Sequence, residues 1–157
     1  MGERGSDEDR SATRPLRVLV VDDDHDTAES LEIFLRHAGH HVTVAHDGLS
    51  GLKAARGETP DVVILDIGLP ECDGYEVARR LRREASLADV TLVALSGYGT
   101  DGDVGQSRAA GFDYHLVKPV EAELLQEIIA ARGGLPERLG PRRVERLTPA
   151  RRTVGKP

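Results

Sequence analysis

The sequence is poor in cysteine and aromatic residues: one cysteine, no tryptophan, three tyrosines and two phenylalanines among 157 residues. The single cysteine, Cys72, excludes a disulfide framework and a zinc site built from cysteines. No stretch approaches eighteen consecutive apolar residues, so the sequence predicts no membrane-spanning helix. The N-terminus also lacks the hydrophobic centre of a signal peptide. These absences favour a cytoplasmic protein that does not need a membrane.

Charge is distributed unevenly along the chain. Residues 16–132 carry 11 basic against 21 acidic residues, whereas residues 133–157 carry 7 basic against 2 acidic residues, with four prolines and no aromatic residue. Such a composition cannot bury enough apolar surface to offset the entropy lost on ordering. We therefore predict one domain over residues 16–132, between a disordered N-terminal tail (1–15) and a disordered basic C-terminal tail (133–157). Without aromatic residues or a DNA-binding fold, the basic tail favours a linker or protein-docking segment over a nucleic-acid partner.

The middle segment alternates short apolar runs with stretches of helical spacing. The runs that predict strands are Val18–Val21, Val42–Ala45, Val62–Leu65, Leu92–Leu95 and Tyr114–Val117. Between them, apolar residues three or four positions apart predict helices, with Gly39, Gly57 and Gly133 as expected ends. Strands that are apolar throughout and alternate with helices indicate a parallel sheet covered on both faces. The predicted fold class is α/β.

Two of the predicted helices carry specific expectations. In the second helix, the apolar stripe that should face the core consists of Leu49, Leu52 and Ala55. The fourth helix should come from residues 97–111, which include Gly102 and Gly105. Each glycine in a helix interior costs about 1 kcal/mol relative to alanine. That helix should be short, start late or be mobile.

Polar residues follow the ends of several predicted strands. They are Asp22, Asp23 and Asp24 after the first strand, Asp66 after the third, Ser96 after the fourth, and Lys118 after the fifth. The carboxyl ends of parallel strands share one end of the sheet, where ligands bind. Carboxylates about 4 Å apart repel by roughly 4 kcal/mol at an effective dielectric constant near 20, and one lysine cannot neutralise three of them. A divalent cation is therefore predicted, and Mg²⁺ suits a site of few carboxylates that also binds phosphate.

The same end of the sheet carries groups suited to phosphate chemistry. A hydroxyl, Ser96, and an ammonium, Lys118, are natural partners for phosphate oxygens. An ionised aspartate is a known nucleophile toward phosphorus. We therefore predict that Asp66 accepts a phosphoryl group beside the metal.

Five short motifs in this order resemble the receiver domain of bacterial two-component response regulators. They are VLVVDDD, Asp66–Pro70, Asp73–Gly74–Tyr75, Ser96–Gly97 and Lys118–Pro119. The resemblance covers residues 16–132 and implies a doubly wound, flavodoxin-like sheet of five parallel strands in the order 2-1-3-4-5. It implies a phosphoacceptor switch and not an enzyme, phosphorylated by a histidine kinase or a phosphotransfer protein. Such a domain assists its own Mg²⁺-dependent phosphorylation and dephosphorylation.

The resemblance also implies a metal site and a switch. Asp23, Asp66 and the main-chain carbonyl of Gly68 would hold Mg²⁺, with Asp22 helping through water. Ser96 would turn toward the phosphate and Lys118 would pair with it. The surface of the fourth helix, fifth strand and fifth helix would then change for partner binding. A cis peptide bond between Lys118 and Pro119 is implied as well.

Two positions depart from the commonest pattern of this family. His115 stands where a tyrosine or phenylalanine is frequent. It would either rotate inward as Ser96 moves, with a charge that varies near neutral pH, or lie partly exposed on an outer strand. Gly68 and Tyr98 occupy positions that influence dephosphorylation in the family.

Other motifs in the sequence favour competing interpretations less strongly. Residues 97–102 match GxGxxG, but Asp101 and Asp103 would lie beside a pyrophosphate, and the strand is not the first. A calcium loop from Asp22 lacks the required glycine and final glutamate. An aspartyl-phosphate hydrolase and a constitutive binding module that is never phosphorylated stay open as alternatives. His37, His40 and His41 predict a surface cluster, and Cys72 is expected to be exposed.

Overall fold

One sheet runs through the part of the chain that the computed structural model describes, residues 15–69, 72–97, 101–131 and 144–146, with only the backbone for 101–103, 131 and 144–146. Its strands are β1 (Arg17–Val21), β2 (His41–Ala45), β3 (Val62–Asp66), β4 (Thr91–Ser96), β5 (Tyr114–Val117) and β6 (Val144–Arg146). The helices are α1 (His25–His37), α2 (Gly48–Glu58), α3 (Gly74–Arg83), α4 (Asp101–Ala110) and α5 (Ala122–Ala131), with a short 3₁₀ helix at Ala85–Leu87. Among these helices, none has the length and apolar character needed to span a bilayer.

The five parallel strands lie in the order β2-β1-β3-β4-β5, which confirms the predicted α/β fold and its strand order. Both faces of the sheet are covered. Leu19, Val21 and Leu65 pack in one apolar layer with residues of α2 and α3, whereas Val18 and Val20 pack in another with residues of α1 and α5. Since alternate residues of a strand point to opposite faces, two covered faces require strands that are apolar throughout.

A sixth strand extends the sheet beyond the prediction. Val144–Arg146 pairs antiparallel with β5, with His115 opposite Glu145. These three residues fall within the segment predicted to be a disordered tail and do not meet that expectation. A strand at the edge of a sheet is held by backbone hydrogen bonds, which need no apolar period in the sequence. Residues 1–14, 132–143 and 147–157 of the predicted tails and boundary lie outside the described residues.

Helix α2 differs from its prediction in its buried face and its end. Leu49 is 66% exposed, and the helix instead buries Gly48 and Gly51 beside Leu52 and Ala55. A Cβ atom on Gly51 would lie 2.9 Å from Cγ2 of Val21, so the helix approaches β1 more closely than larger side chains would allow. The predicted end at Gly57 is also wrong, because the helix continues to Glu58 and is capped by Thr59 with a φ of 46°.

The other helix ends and the weak fourth helix agree better with the sequence. Helix α1 ends beside Gly39, whose φ of 102° lies in the left-handed region that glycine favours. Helix α4 begins at Asp101, four residues after the start of the predicted segment 97–111, and ends at Ala110. The predicted stop at Gly133 lies outside the described residues.

Two side chains expected at the surface are more buried than predicted. His40 is only 5% exposed, and its Nδ1 accepts a hydrogen bond from the backbone N–H of Leu16 at 3.1 Å. His37 and His41 are exposed, as predicted. Cys72 is half-buried against the apolar layer under α2 and α3. His40 therefore serves the packing of the strand ends, since its ring satisfies a buried N–H group.

Candidate functional site

Three carboxylates meet at the carboxyl end of the sheet. Asp22 and Asp23 follow β1, Asp66 ends β3, and one carboxylate oxygen of each lies within 4.8 Å of the others. Asp22 is fully buried, Asp66 is 7% exposed, and Asp23 is exposed. Because β1 and β3 pair directly, with Val21 opposite Leu65, their ends deliver these groups side by side. We call Asp22, Asp23 and Asp66 the acidic cluster.

The loops that follow the strands orient two of these carboxylates. Oδ1 of Asp22 accepts the backbone N–H of Asp24, and Oδ1 of Asp66 accepts that of Gly68, both at 2.9 Å. An aspartate that bonds the N–H two residues ahead closes a tight turn on itself. Each carboxylate is thus fixed by its own loop, and the second oxygen of each faces Lys118.

Lys118 lies between the two buried carboxylates. Its Nζ is 3.0 Å from Oδ2 of Asp22 and 3.4 Å from Oδ2 of Asp66. The backbone N–H of Lys118 also donates to the carbonyl of Ser96 at 2.8 Å, which ties the end of β5 to the end of β4. The peptide bond between Lys118 and Pro119 is cis, as the sequence resemblance implied.

The electrostatics of the acidic cluster indicate a shortage of positive charge. Burial, together with the neighbouring Asp66, raises the pKa of Asp22 to about 6, against the opposing effects of the Asp24 N–H and Lys118. Burial alone would lower the pKa of Lys118, but its contacts with Asp22 and Asp66 outweigh burial and raise it. One ammonium therefore stabilises the carboxylates only in part. The donor set, three carboxylates with oxygens within 4.8 Å of one another, fits a hard divalent cation.

Ser96, at the end of β4, belongs to a buried hydrogen-bonded chain. Its Oγ lies 2.9 Å from Nε2 of His115, whose Nδ1 lies 2.9 Å from Oγ of Ser107 on α4. His115 is 1% exposed, so its expected alternative, partial exposure on an outer strand, is wrong. The physical reason is that α4 covers the ring, with Oγ of Ser107 in hydrogen-bond contact with it.

Ser107 was not predicted from the sequence. It is fully buried in α4, three residues after Val104 and three before the buried Ala110. A serine on the inward stripe of a helix requires a hydrogen-bond partner. That position on the inward stripe is the signal that could have pointed to a partner in the sheet.

The close packing of Gly74 was also missed. A Cβ atom on Gly74 would lie 2.5 Å from Cα of Ile67 and 2.7 Å from the carbonyl oxygen of Asp66. The start of α3, which is capped by the side chain of Asp73, therefore presses against the backbone of the residue that ends β3. Only a glycine permits so close an approach of two backbones.

Two imidazole rings flank the acidic cluster on the side of β2. His25 and His46 stack with ring centroids 3.7 Å apart and an interplanar angle of 7°. Nδ1 of His46 lies 2.9 Å from the carbonyl oxygen of Asp22. The pair thus supports the loop that carries Asp22. The sequence signal for this pair was position: His46 directly follows β2, and His25 directly follows the acidic loop after β1.

The structure brings Asp22, Asp23, Asp66, Gly68, Ser96, His115 and Lys118 to one end of the sheet. Gly68 is exposed in the loop after β3. Tyr98, and the centre of the GxGxxG match at residues 98–100, lie outside the described residues.

Comparison with known proteins yields a family match and close relatives. The sequence matches the response regulator receiver domain over residues 18–130. It is 43% identical over 123 residues to the transcriptional regulatory protein PrrA of Mycobacterium tuberculosis, covering 78% of this chain and 52% of PrrA. The chain spans about half the length of the curated relatives it matches.

Solved structures agree in fold. The chemotaxis response regulator CheY4 of Vibrio cholerae superposes with a TM-score of 0.71 at 27% identity, covering 76% of this chain and 99% of CheY4. The receiver domain of the sensor histidine kinase PA1611 of Pseudomonas aeruginosa, solved with magnesium coordinated in its active site cleft, gives a TM-score of 0.69 at 30% identity. That similarity covers 75% of this chain and 96% of the other.

Proposed function

This chain belongs to the family of response regulator receiver domains, and from that premise we propose that Asp66 is its phosphoacceptor. A histidine kinase or a phosphotransfer protein would supply the phosphoryl group. The family is regulatory, so the chemistry at Asp66 serves signalling. Assistance by the domain to its own phosphorylation and dephosphorylation is part of this proposal.

The observation that carries the proposal is the setting of the Asp66 carboxylate. One oxygen is held by the N–H of Gly68, and the other lies 3.4 Å from the Lys118 ammonium, beside carboxylates able to bind a cation. Phosphoryl transfer is catalysed mainly by positioning and by neutralising charge on the phosphoryl oxygens. A fixed carboxylate between an ammonium and a cation site provides both.

Mg²⁺ is the proposed cofactor. Asp22, Asp23, Asp66 and the main-chain carbonyl of Gly68 would hold it, and when bound it would neutralise charge on the phosphoryl oxygens. The raised pKa of Asp22 supports this assignment, because the cluster lacks positive charge in its absence. The magnesium ion in the PA1611 receiver domain supports it from a relative.

Ser96 and Lys118 are the proposed partners of the phosphoryl group. Lys118 already contacts Asp66, so its ammonium needs little movement to meet a phosphate oxygen. Ser96 would leave His115 to do so. A dianionic group that draws in these side chains would alter the surface formed by α4, β5 and α5, where we propose that a protein partner binds.

The location and the output of the switch are also proposals. PrrA is a transcriptional regulatory protein, and this chain matches only about half of it. For the chain itself we propose protein partners in the cytoplasm, and the absence of direct nucleic-acid binding stays a prediction.

The proposal is tested by intact mass spectrometry after incubation with Mg²⁺ and acetyl phosphate. The carboxylate of Asp66 attacks phosphorus, the P–O bond to acetate breaks, and acetate leaves. We expect one added phosphoryl group, lost in Asp66→Asn and kept in Asp89→Asn, a matched change at an exposed carboxylate.

Two results would contradict the switch. Many-turnover hydrolysis of a phosphate monoester such as p-nitrophenyl phosphate would favour the hydrolase, whereas release of inorganic phosphate from acetyl phosphate is also expected of a receiver that dephosphorylates itself. The unphosphorylated binding module would be favoured if acetyl phosphate does not phosphorylate Asp66 and beryllofluoride, a tetrahedral mimic of the phosphoryl group, does not bind there.

A further inference from the structure

We propose that Ser107 is a positioning residue that holds Ser96 in place through His115. The inference rests on the proposed function of Asp66, because Ser96 must turn toward a phosphoryl group at that residue. It adds a part of α4 to the site and gives that helix a direct link to the phosphate position.

The geometry places the three side chains in one continuous chain. The Ser107 hydroxyl lies 2.9 Å from Nδ1 of His115, and Nε2 of the same ring lies 2.9 Å from the Ser96 hydroxyl. The exposed fractions of Ser107, His115 and Ser96 are 0%, 1% and 4%. Water therefore competes little for these hydrogen bonds, and the ring is fixed from both sides.

The chemistry of imidazole makes the two serine contacts interdependent. A neutral ring has one N–H donor and one acceptor nitrogen, so one serine hydroxyl donates to the ring and the other accepts from it. The hydroxyl of Ser107 thus helps to set which nitrogen carries the proton. In doing so it sets how the ring bonds Ser96.

Movement of Ser96 toward a phosphoryl group must break its bond with His115. A buried hydrogen bond contributes about 0.5–1.5 kcal/mol, a factor of about 2 to 12 in an equilibrium constant. Loosening the ring should release part of this restraint. The site would then bind a phosphoryl mimic more tightly.

The first measurement is the affinity for beryllofluoride in excess Mg²⁺, for the unmodified chain and for Ser107→Ala. We expect a rise in affinity of about twofold to tenfold. Ser107→Thr keeps the hydroxyl and should restore the original affinity. Ser30→Ala, at an exposed serine of α1, is the matched control and should change nothing.

A double-mutant cycle tests whether Ser107 acts through the ring. His115→Phe removes both nitrogens, so adding Ser107→Ala to it should give no further rise in affinity. Thermal unfolding of each variant confirms that it is folded. A loss of stability with unchanged affinity in Ser107→Ala would overturn the proposal, as would an equal effect of that change in both backgrounds.

Nitrogen NMR of the His115 ring tests the hydrogen bonds that join Ser107, His115 and Ser96 without any phosphoryl mimic. Ser107→Ala should shift the Nδ1 resonance and alter the proton distribution between the two nitrogens, whereas Ser30→Ala should not. Unchanged ring resonances would overturn the inference alone. If beryllofluoride does not bind the unmodified chain at Asp66, the proposed function fails, and the inference that rests on it fails too.

Discussion

Asp22 carries a charge that its surroundings stabilise poorly. Its pKa of about 6 in the folded state exceeds the ordinary value of 3.8, mainly through burial and also through Asp66. The folded state therefore holds a proton that the unfolded state releases between these values. This difference in proton binding stabilises the folded state fully below pH 3.8, and the stabilisation is lost as the pH rises through about 6.

Asp22→Asn should make the metal-free protein more stable at pH 7.5. The amide keeps an oxygen for the N–H of Asp24 and removes the charge. We expect a gain of up to about 3 kcal/mol in the free energy of unfolding, from about 1.4 kcal/mol for each of the roughly two pKa units that separate 3.8 from about 6. Urea unfolding in EDTA measures it. The gain should shrink toward pH 4, and an equal gain at both pH values would contradict the assignment to this carboxyl.

His40 is a buried base, and its pKa affects the pH dependence of stability in the opposite direction to that of Asp22. Burial, with a smaller contribution from the charge of His41, holds the pKa of His40 below 6.5, against a smaller opposing effect of Gln126. The neutral ring of His40 therefore makes its full contribution to the free energy of unfolding above pH 6.5. This contribution is lost as the pH falls toward the lower pKa of the folded state, because in that range only the unfolded state takes up the proton.

His40→Asn should remove this loss of stability at low pH, because asparagine does not titrate. The asparagine oxygen can replace Nδ1 as acceptor for the N–H of Leu16. We expect the unmodified chain to lose stability relative to His40→Asn between pH 7.5 and 5.5, as measured by chemical denaturation. His37→Asn, at an exposed histidine of α1, is the control. A parallel fall in stability for both variants and the unmodified chain would place the titration elsewhere.

At the scale of elements, the contact between α3 and the end of β3 fixes Asp66. Gly74→Ala would bring a Cβ atom within 2.7 Å of two backbone atoms, so the loop must shift. We expect a loss of about 1–3 kcal/mol in stability and a marked loss of phosphorylation by acetyl phosphate.

Gly57→Ala is the matched control for that change. Gly57 lies within α2, and a Cβ atom there would meet nothing within 4 Å. Alanine at this position should leave stability unchanged or raise it by up to about 1 kcal/mol. Normal phosphorylation of Gly74→Ala would show that the loop tolerates the shift.

Helix α4 is the element that we predict to respond to phosphorylation. It contains Gly105, buries Ser107 and Ala110, and joins the site through the His115 ring. Hydrogen exchange should change in residues 104–110 when beryllofluoride and Mg²⁺ are added. Gly105→Ala, with open space around its Cβ position, should strengthen protection in both states. Equal protection with and without the mimic would contradict a role for α4.

The elements differ in how far the sequence could predict them. The central strands β1, β3 and β4 were predictable because both of their faces are covered, so each consists mainly of apolar residues. The buried face of α2 was not, since Gly51 packs by close approach to Val21 where a periodic pattern favours Leu49. The burial of His115 depends on its contact with Ser107 of α4, eight residues earlier in the chain, and the periodicity within a single strand or helix does not report a contact between two elements.

At the scale of the whole molecule, the grouping of residues at the candidate site was easier to predict than the individual elements. Strand order places the ends of β1, β3, β4 and β5 together, so residues at those ends could be grouped before any contact was known. What the sequence could not supply was the state of each group: the burial of Asp22, the exposure of Asp23 and the bond between Ser96 and His115.

A site for Mg²⁺ at the acidic cluster should couple to the stability of the whole domain. Residues 16–132 carry a net charge of −10, and a cation bound only by the folded state stabilises it by about 2.7 kcal/mol at 100 times its dissociation constant. Thermal unfolding at pH 7.5 should therefore shift upward with 10 mM Mg²⁺, by about 2–8 °C per kcal/mol, and EDTA should reverse the shift. Salt also screens the general repulsion among acidic residues, so NaCl of equal ionic strength is the necessary reference.

Asp23→Asn separates the site from general screening. Asp23 is the exposed member of the cluster, so its replacement removes a ligand with little change in packing, whereas Asp26→Asn removes an exposed carboxylate of α1 outside the cluster. We expect the Mg²⁺-specific shift to disappear in Asp23→Asn and to persist in Asp26→Asn. If NaCl reproduces the full shift, or if both variants respond alike, the cation acts on the net charge of the domain and the acidic cluster is no metal site.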